Sequence, residues 1–359
     1  MTRQDQPAND RSVRSYVKPI GIGIAIILAL ILAWFIGDLL SGATEPTTHY
    51  ALYVVNADGS GQKIIRDDQA FDLWGPAWSP DGKQIAVSVV SASGDKSEIY
   101  LLDSNGQSSH PLTHNGQLNY QPVWSHDGKR IAFVSQHGKD IQTSEVHTID
   151  VDGNNEHRLT QNNAPEYGEA WSPDDRQIAF GSKMDGAWQI YLMNSDGTNQ
   201  HPLVTRADGS APVWSPDGQQ LSITSERDGS ANIYTLTLDG QNQRNLTNDK
   251  TASSNSSWSP DGSKIAFWSE REGMPHIFVM NRDGSNPVDL TNAPDFEALN
   301  PAWSPDGKQI IFHAAQHETG IPKLIRENLS WIFVGIAGLI VFGIAVWVAQ
   351  RNRKVTKNE

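Results

Sequence analysis

The stretch WSPDGKQIAV, from Trp78 to Val87, recurs five times further along the chain in closely similar form. The copies are WSHDGKRIAF at 124–133, WSPDDRQIAF at 171–180, WSPDGQQLSI at 214–223, WSPDGSKIAF at 258–267 and WSPDGKQIIF at 303–312. Successive tryptophans are 43 to 47 residues apart, and a regular period of this length predicts one supersecondary unit per copy. Because the motif contains a carboxylate and a glycine, it is either a turn or a chemical site.

The residues that follow each copy predict strands. Ile85 and Val87 flank Ala86, which is the period of two typical of a β-strand, and most other copies alternate in the same way. A second apolar run follows, as in IYLL from Ile99, and then a glycine turn and a short Leu-Thr segment. Four of the five glycine turns are Asp-Gly, the strongest short signal for a hairpin. We predict that each unit is a meander of four antiparallel strands.

The sixth unit has its two motif strands but then runs into an apolar segment, so two strands are missing. A matching pair, ALYVVNADGSGQKIIR, stands at 51–66, near the other end of the chain. Radial packing of four-stranded sheets around an axis protects the strand edges. We therefore predict an all-β fold, a six-bladed β-propeller of four-stranded antiparallel blades over 51–314, which the strands in 51–66 close.

The pattern P-x-W-S-P-D-G-x-x-I-A-F, followed by I-Y-x-M-x-x-D-G and then L-T, resembles the TolB-like family of six-bladed β-propeller repeats. Similar repeats occur in the propellers attached to prolyl oligopeptidases and tricorn proteases. The resemblance covers roughly residues 50 to 314 and implies the propeller fold. It also implies binding of a protein, a peptide or an envelope component outside the membrane. One fold hosts many functions, so the activity stays open.

The Ser-Pro-Asp-Gly part of the motif predicts a structural turn. Serine can bond back to the backbone, proline presets φ, and glycine accepts a positive φ. Where the glycine is absent the chain has Asp175, and aspartate is one of the few other residues tolerated in the left-handed region. The predicted turn residues are Asp81, Gly82, Asp127, Gly128, Asp174, Asp175, Asp217, Gly218, Asp261, Gly262, Asp306 and Gly307.

Other features of the sequence give little support to catalysis or metal binding. The chain has no cysteine, and its eleven histidines are scattered. DVDGNNE at 150–156 faintly resembles a calcium loop, but it lacks the spacing of an EF-hand. No nucleophile elbow, zincin helix or phosphate loop occurs. We predict no catalytic residue, no metal and no cofactor, and a protein that is not an enzyme.

The two ends of the chain predict a membrane anchor. Apolar segments at 19–40 and 328–350 are each long enough to cross a bilayer as a helix, and linkers at 41–50 and 315–327 join them to the propeller. The first has one alternative, a signal peptide cleaved near Ser41 and Ala43. Two spanning helices make the lipid bilayer a predicted partner.

Charge predicts which side of the membrane each part occupies. The tails at 1–18 and 351–359 together carry a formal charge of +5, and the region between them carries −18. The positive-inside rule then places both termini in the cytoplasm and the propeller on the outer side of the plasma membrane. A middle region with this much negative charge would repel the phosphates of a nucleic acid. We therefore exclude nucleic acid as a partner.

The residue four before each motif tryptophan predicts a binding surface. These residues are Trp74, Tyr120, Tyr167, Ser210, Ser254 and Leu299. In a closed propeller they would border the mouth of the channel on the face toward the membrane, opposite the motif turns. We predict that Trp74, Tyr120, Tyr167, Asp72 and Glu169 bind a ligand there. The alternative is packing between blades with a solvated acidic rim.

The favoured function is a membrane-anchored, extracytoplasmic, non-enzymatic scaffold that binds a protein, a peptide or an envelope component. One alternative is a hydrolase or lyase that acts at the central channel. The other is a surface sensor, although the short tails contain no signalling domain. A cluster of histidine with carboxylates lining the channel would favour an enzyme, and an aromatic and acidic rim alone would favour binding.

Overall fold

The computed structural model describes residues 50–316 except 69–70, 92, 139–143, 163, 204–207 and 293–295. These residues belong to one compact unit, 48–317. In this part of the chain no helix has the length and hydropathy that a bilayer-spanning segment needs. The predicted spans at 19–40 and 328–350 and the tails at 1–18 and 351–359 lie outside the described residues, as do nearly all of the two linkers.

The described chain forms twenty-four strands, numbered here in chain order. The first ten are β1 (Tyr50–Asn56), β2 (Lys63–Arg66), β3 (Phe71–Trp78), β4 (Gln84–Ser91), β5 (Ser97–Asp103), β6 (Ser109–Pro111), β7 (Leu118–Trp124), β8 (Arg130–Gln136), β9 (Ser144–Asp150) and β10 (His157–Arg158). The next eight are β11 (Glu166–Trp171), β12 (Gln177–Ser182), β13 (Gln189–Asn194), β14 (His201–Pro202), β15 (Ser210–Trp214), β16 (Gln220–Ser225), β17 (Asn232–Thr237) and β18 (Arg244–Asn245). The last six are β19 (Ser253–Trp258), β20 (Lys264–Ser269), β21 (His276–Asn281), β22 (Val288–Asp289), β23 (Phe296–Trp303) and β24 (Gln309–Gln316).

The strands are grouped in antiparallel units of four. Units 3, 4 and 5 are the separate sheets β11–β14, β15–β18 and β19–β22, and unit 6 is the sheet β2-β1-β24-β23. Units 1 (β3–β6) and 2 (β7–β10) share one sheet through a single parallel pair, Ser97 with Leu118. In every unit the motif lies between the first and second strands. The fold is therefore all-β and propeller-like.

Unit 6 combines strands from both ends of the described chain. β1 pairs with β24 along its whole length, from Tyr50 opposite Ala315 to Asn56 opposite Gln309. β2 pairs with the other edge of β1. These strands begin and end slightly inside the predicted linkers, because pairing holds the backbone extended as far as Tyr50 and Gln316.

The core lies in the seams between neighbouring units. Six clusters of buried apolar residues each combine side chains of two adjacent units. The motif tryptophans lie in these seams, as with Trp171 between units 2 and 3. The first strands of successive units also touch in order, and β23 of unit 6 contacts β3 of unit 1. Each unit therefore contacts the next one along the chain, and unit 6 contacts unit 1.

The motif has turn geometry in all six units. Each aspartate accepts a hydrogen bond from the hydroxyl of its serine at 2.6 to 2.8 Å and from a following backbone N–H at 3.0 to 3.2 Å. The glycines have φ between 67 and 69°, and Asp175 in the same place has φ of 58°. The serine hydrogen bonds lower the pKa of these carboxyls, so they are ionised at neutral pH within their own turns.

Candidate functional site

A row of β-bulges occurs at one equivalent position in the first strands of the six units. In each first strand the register shifts just before the motif tryptophan. The residue at the bulge has a positive φ of 48 to 67°, and the six are Gly75, Gln121, Gly168, Ala211, Asn255 and Asn300. The left-handed backbone costs about 1 kcal/mol or more at the non-glycine positions, so packing must hold it in place.

The bulge side chains connect neighbouring units. Asn255 donates a hydrogen bond from Nδ2 to Oδ1 of Asn300 at 2.6 Å, joining units 5 and 6. Gln121 of unit 2 accepts one at Oε1 from the N–H of Gly168 in unit 3 at 3.3 Å. These amides are uncharged and supply both hydrogen-bond donors and acceptors.

A cavity of about 480 Å³ lies against this row of bulges. Its aromatic lining residues are Trp74, Tyr120, Tyr167, Trp268 and His313. Its other polar lining residues are Ser97, Gln121, Ser254, Asn255 and Asn300. Gly75, Val90, Leu118 and Leu299 complete the lining. None of these lining residues is Asp, Glu, Lys or Arg, so the described walls carry no fixed charge.

The structure brings three of the five predicted binding residues to this cavity. Trp74, Tyr120 and Tyr167 line it, together with Ser254 and Leu299 from the same row of the sequence pattern. Trp74 is the most accessible of the three aromatic residues, with 37% of its surface exposed. Ser210 of that row is not among the lining residues.

Asp72 and Glu169, which we also predicted at the mouth, do not line the cavity. Asp72 accepts a hydrogen bond at Oδ1 from the N–H of Tyr50 at 2.9 Å, so it fixes the start of β1. Glu169 is buried, with only 3% of its surface exposed. The bulge at Gly168 adds a residue to β11, so Tyr167 and Glu169 do not share one face as they would in a regular strand.

The surroundings of Glu169 are unusual for a carboxylate. Neither of its carboxyl oxygens has a hydrogen-bond partner from another described residue. Burial raises its pKa to about 8, so the carboxyl is mostly protonated at neutral pH. The charge of Glu169 affects the pKa of the nearby Tyr120. Burial, aided by the Glu169 carboxylate, raises the pKa of Tyr120 to about 12.

Comparison with known proteins identifies the fold family. Residues 39–209 and 198–330 match the TolB beta propeller domain. The chain belongs to this family. A Protein TolB homolog of Chlorobium chlorochromatii is 34% identical over 79 residues, which are 22% of this chain and 17% of that protein. Dipeptidyl-peptidase 5 of Porphyromonas gingivalis is 37% identical over 70 residues, 18% of this chain and 10% of the peptidase.

A solved structure extends the likeness of fold over a larger part of the chain. The putative TolB of Agrobacterium tumefaciens superposes with a TM-score of 0.64 at 21% identity, covering 75% of this chain and 99% of that one. Identity at this level shows the shared fold alone. This chain spans only about a sixth and a tenth of the two curated relatives.

The sequence analysis missed two aromatic lining residues of the cavity, His313 and Trp268. Both lie on second strands, directly opposite the predicted row: Leu299 pairs with His313, and Ser254 pairs with Trp268. The predicted row contains residues of first strands only. Comparing the paired position across the repeats would have shown both, because the other four units have Ser88, Val134, Gly181 and Thr224 there.

His313 is a neutral imidazole at the cavity wall. It is fully buried, and burial lowers its pKa to about 3. Its Nδ1 accepts a long hydrogen bond of 3.4 Å from the N–H of Gly75, which leaves the proton on Nε2. Its ring stacks on Trp74 at 5.2 Å between ring centroids, and Tyr50 packs on both rings at 4.8 and 5.4 Å.

Within the described ranges, no group of three or more His, Asp or Glu side chains is arranged to hold a metal ion. Glu166, another buried acid on β11, has a pKa raised to about 7 by burial. Its Oε1 accepts hydrogen bonds from Asn162 and Ser182, both at 2.9 Å. Glu166 therefore belongs to the packing of units 2 and 3.

Proposed function

We propose that the protein is a non-enzymatic scaffold of the plasma membrane, which binds a protein or peptide partner on the outer side at the cavity of a six-bladed propeller. The six units would be its blades. The contact between β23 and β3 and the six seams support a closed ring. The seam of units 6 and 1 has its own apolar cluster, which includes Leu52, Leu73 and Ile311.

The observation that carries this proposal is the cavity itself. At about 480 Å³ it falls within the range of known ligand sites. Its walls combine aromatic and apolar side chains with a few uncharged hydrogen-bonding groups, the usual composition of a binding site. Trp74 and Tyr167 present partly accessible aromatic surface from two different units.

The titrating groups His313 and Tyr120 on the cavity wall favour binding over chemistry, and Glu169, whose pKa is about 8, does not line the cavity. A hydrolase or lyase would need an acid or base whose pKa lies near the working pH. His313, with a pKa of about 3, and Tyr120, with a pKa of about 12, are both neutral at pH 7 and poor in either role. An enzyme that acts at the central channel and a surface sensor remain our alternatives.

The binding site can be tested by site-specific photocrosslinking in the native envelope. A photoreactive residue would replace Trp74 in the full-length chain, and in a control chain it would replace Val288. Val288 lies on an outer strand, is 56% exposed and does not line the cavity. We expect one discrete crosslinked partner at position 74 and none at position 288. Equal crosslinking at both positions would contradict a cavity site.

The anchoring and the side of the membrane need a separate experiment. Both segments come from the sequence alone, and their placement remains a prediction. Protease added to intact cells, compared with inside-out vesicles, reports the side on which the propeller lies. We expect cleavage of its loops from outside and protection of tags on both termini. Protection of the propeller in intact cells would show that the orientation is wrong.

A further inference from the structure

The cavity walls suit a positively charged group. Aromatic rings of four different units, Trp74, Tyr120, Tyr167 and Trp268, face one space. Ring faces carry partial negative charge and attract cations. No lysine or arginine lines the cavity, and His313 is uncharged, so no lining group repels a cation.

A buried acid that does not itself line the cavity is near enough to one of these rings for its charge to act on it. Glu169 lies on β11, in the seam that unit 3 forms with unit 2, and its charge acts on Tyr120 of the cavity wall. Both its carboxyl oxygens lack partners from other described residues. An unpaired buried carboxyl destabilises the fold. The architecture does not require it, because the equivalent residues are Pro76, Pro122, Pro212, Ser256 and Pro301.

We propose that the cavity receives an organic cation, the ammonium or guanidinium end of a basic side chain of the partner, with the aromatic faces around it and Glu169 as its buried counter-charge. This inference rests on the proposed binding function and specifies its chemistry. The bound cation stabilises the carboxylate form of Glu169, so the proton of the free protein leaves when the ligand enters. Binding is therefore tighter at higher pH.

The other groups near Glu169 do not provide this counter-charge. The strands packed against β11 are β7, β8, β9, β12 and β15. The titratable or charged residues on these strands and on β11 itself are Tyr120, Arg130, Glu145, His147, Asp150, Glu166 and Tyr167. Glu145 accepts a hydrogen bond from Arg158, and the guanidinium of Arg130 lies over Trp171 at 4.5 Å. Glu169 alone of the acids has both carboxyl oxygens without a partner from another described residue.

The test compares choline with 3,3-dimethylbutan-1-ol, an uncharged molecule of the same shape, by calorimetric titration of the detergent-solubilised full-length protein. We expect choline to bind about tenfold more tightly, because a desolvated cation on aromatic faces gains that much over a neutral group. Its affinity should rise from about pH 6 to about pH 9 in the natural protein and stay flat in Glu169→Gln. The neutral probe should show no pH dependence in either.

Two further variants make the result specific. Trp74→Leu should weaken choline more than the neutral probe, and Val288→Ala should change neither. Equal affinity of the two probes, or no choline binding at about 100 mM, overturns the inference. A rise with pH that persists in Glu169→Gln overturns the counter-charge. If crosslinking at position 74 succeeds while choline fails, the scaffold function stands and the cation site does not.

Discussion

Residues 126 and 175 show how two departures from the repeat depend on each other. In five neighbouring pairs of units, the proline of one motif turn lies within 3.8 Å of the β-carbon position of the next unit's glycine. Between units 2 and 3 the proline is replaced by His126 and the glycine by Asp175. The Asp175 carboxylate accepts hydrogen bonds from the N–H groups of His126 and Asp127, at 2.7 and 2.8 Å. A proline at position 126 would have no N–H to donate.

We predict that these two positions are thermodynamically coupled. His126→Pro removes the backbone N–H donor and also the imidazole, whose Nδ1 lies 3.2 Å from Oδ1 of the partly buried Asp175 carboxylate, and this should cost about 1 to 2 kcal/mol. The double variant His126→Pro with Asp175→Gly restores the contact between proline and glycine that the other five seams have. Its free energy of unfolding should be about 1 kcal/mol higher than the sum of the two single changes predicts. Urea denaturation of the four proteins measures this. Simple additivity would show that the substitutions are independent.

Glu169 provides a second prediction at the residue scale. Its pKa is about 8 in the fold and about 4.3 in an unfolded chain, so between these values the folded state holds a proton that the unfolded state lacks. Its contribution to stability is therefore greatest below about pH 4 and is lost as pH rises through about 8. Glu169→Gln stays neutral. We expect it to gain stability over the natural protein between about pH 5 and pH 8, on the order of a few kcal/mol.

The comparison with Glu169→Gln isolates this group. Glu166, the other acid with a raised pKa, is present in both proteins, so its effect cancels. Denaturation curves at several pH values give the free energy of unfolding of each protein. Parallel pH profiles would mean that the carboxyl is ionised or solvated in the folded chain.

At the scale of the element, the outer strand of unit 6 depends on backbone contacts with unit 1. β2 has only four residues, and two of them are exposed. Its Ile65 carbonyl oxygen lies 2.3 Å from where a β-carbon on Gly106 would stand, and Arg66 donates a hydrogen bond to the Gly106 oxygen at 3.0 Å. Gly106 belongs to the outer hairpin of unit 1. The hairpin therefore holds the last strand of unit 6 in place.

Gly106→Ala should release β2 from this hairpin. Alanine is strained at the positive φ of 75°, and its β-carbon would also force the two backbones apart. We therefore expect the free energy of unfolding to fall by about 2 to 3 kcal/mol. The matched control is Gly94→Ala, with a φ of 68° and no atom within 4 Å of the new β-carbon. Its free energy of unfolding should fall by only about 1 kcal/mol, because the strain of a positive φ is then the sole effect. Equal losses in thermal or urea unfolding would show that the close approach is unimportant.

The geometry of the strands also explains which features could be predicted from the sequence. The alternation around Ala86 and the turn residues indicated the strands because each side chain there has a repeating structural role. The row from Trp74 to Leu299 indicated the cavity because it contains the same position of the repeat from every unit, and equivalent positions lie on the same side of each unit. Glu169 was misplaced because a bulge reverses the direction of side chains and leaves no mark in a strand pattern. His313 was missed because it faces the row from the paired strand.

At the scale of the molecule, the contact between β1 and β24 joins the two ends of the described chain. A ring of units that each touch only their neighbours is least secure where the backbone is interrupted. Here that place is unit 6, in which the seven pairs of β1 with β24 replace a covalent connection. Asn56 and Gln309 lie opposite each other at one end of this ladder, and the Gln309 Nε2 donates to the Asn56 Oδ1 at 3.3 Å.

A disulfide at this pair should lock the ring. The natural chain has no cysteine, so Asn56→Cys with Gln309→Cys can form only this bond within one molecule. Linking positions so far apart in sequence restricts the unfolded chain strongly, and we expect the oxidised protein to gain about 4 kcal/mol over the same protein reduced. The reduced form is the matched control, because it carries the same substitutions. If oxidation leaves the unfolding temperature unchanged, the pairing of β1 with β24 is not what limits the stability of the ring.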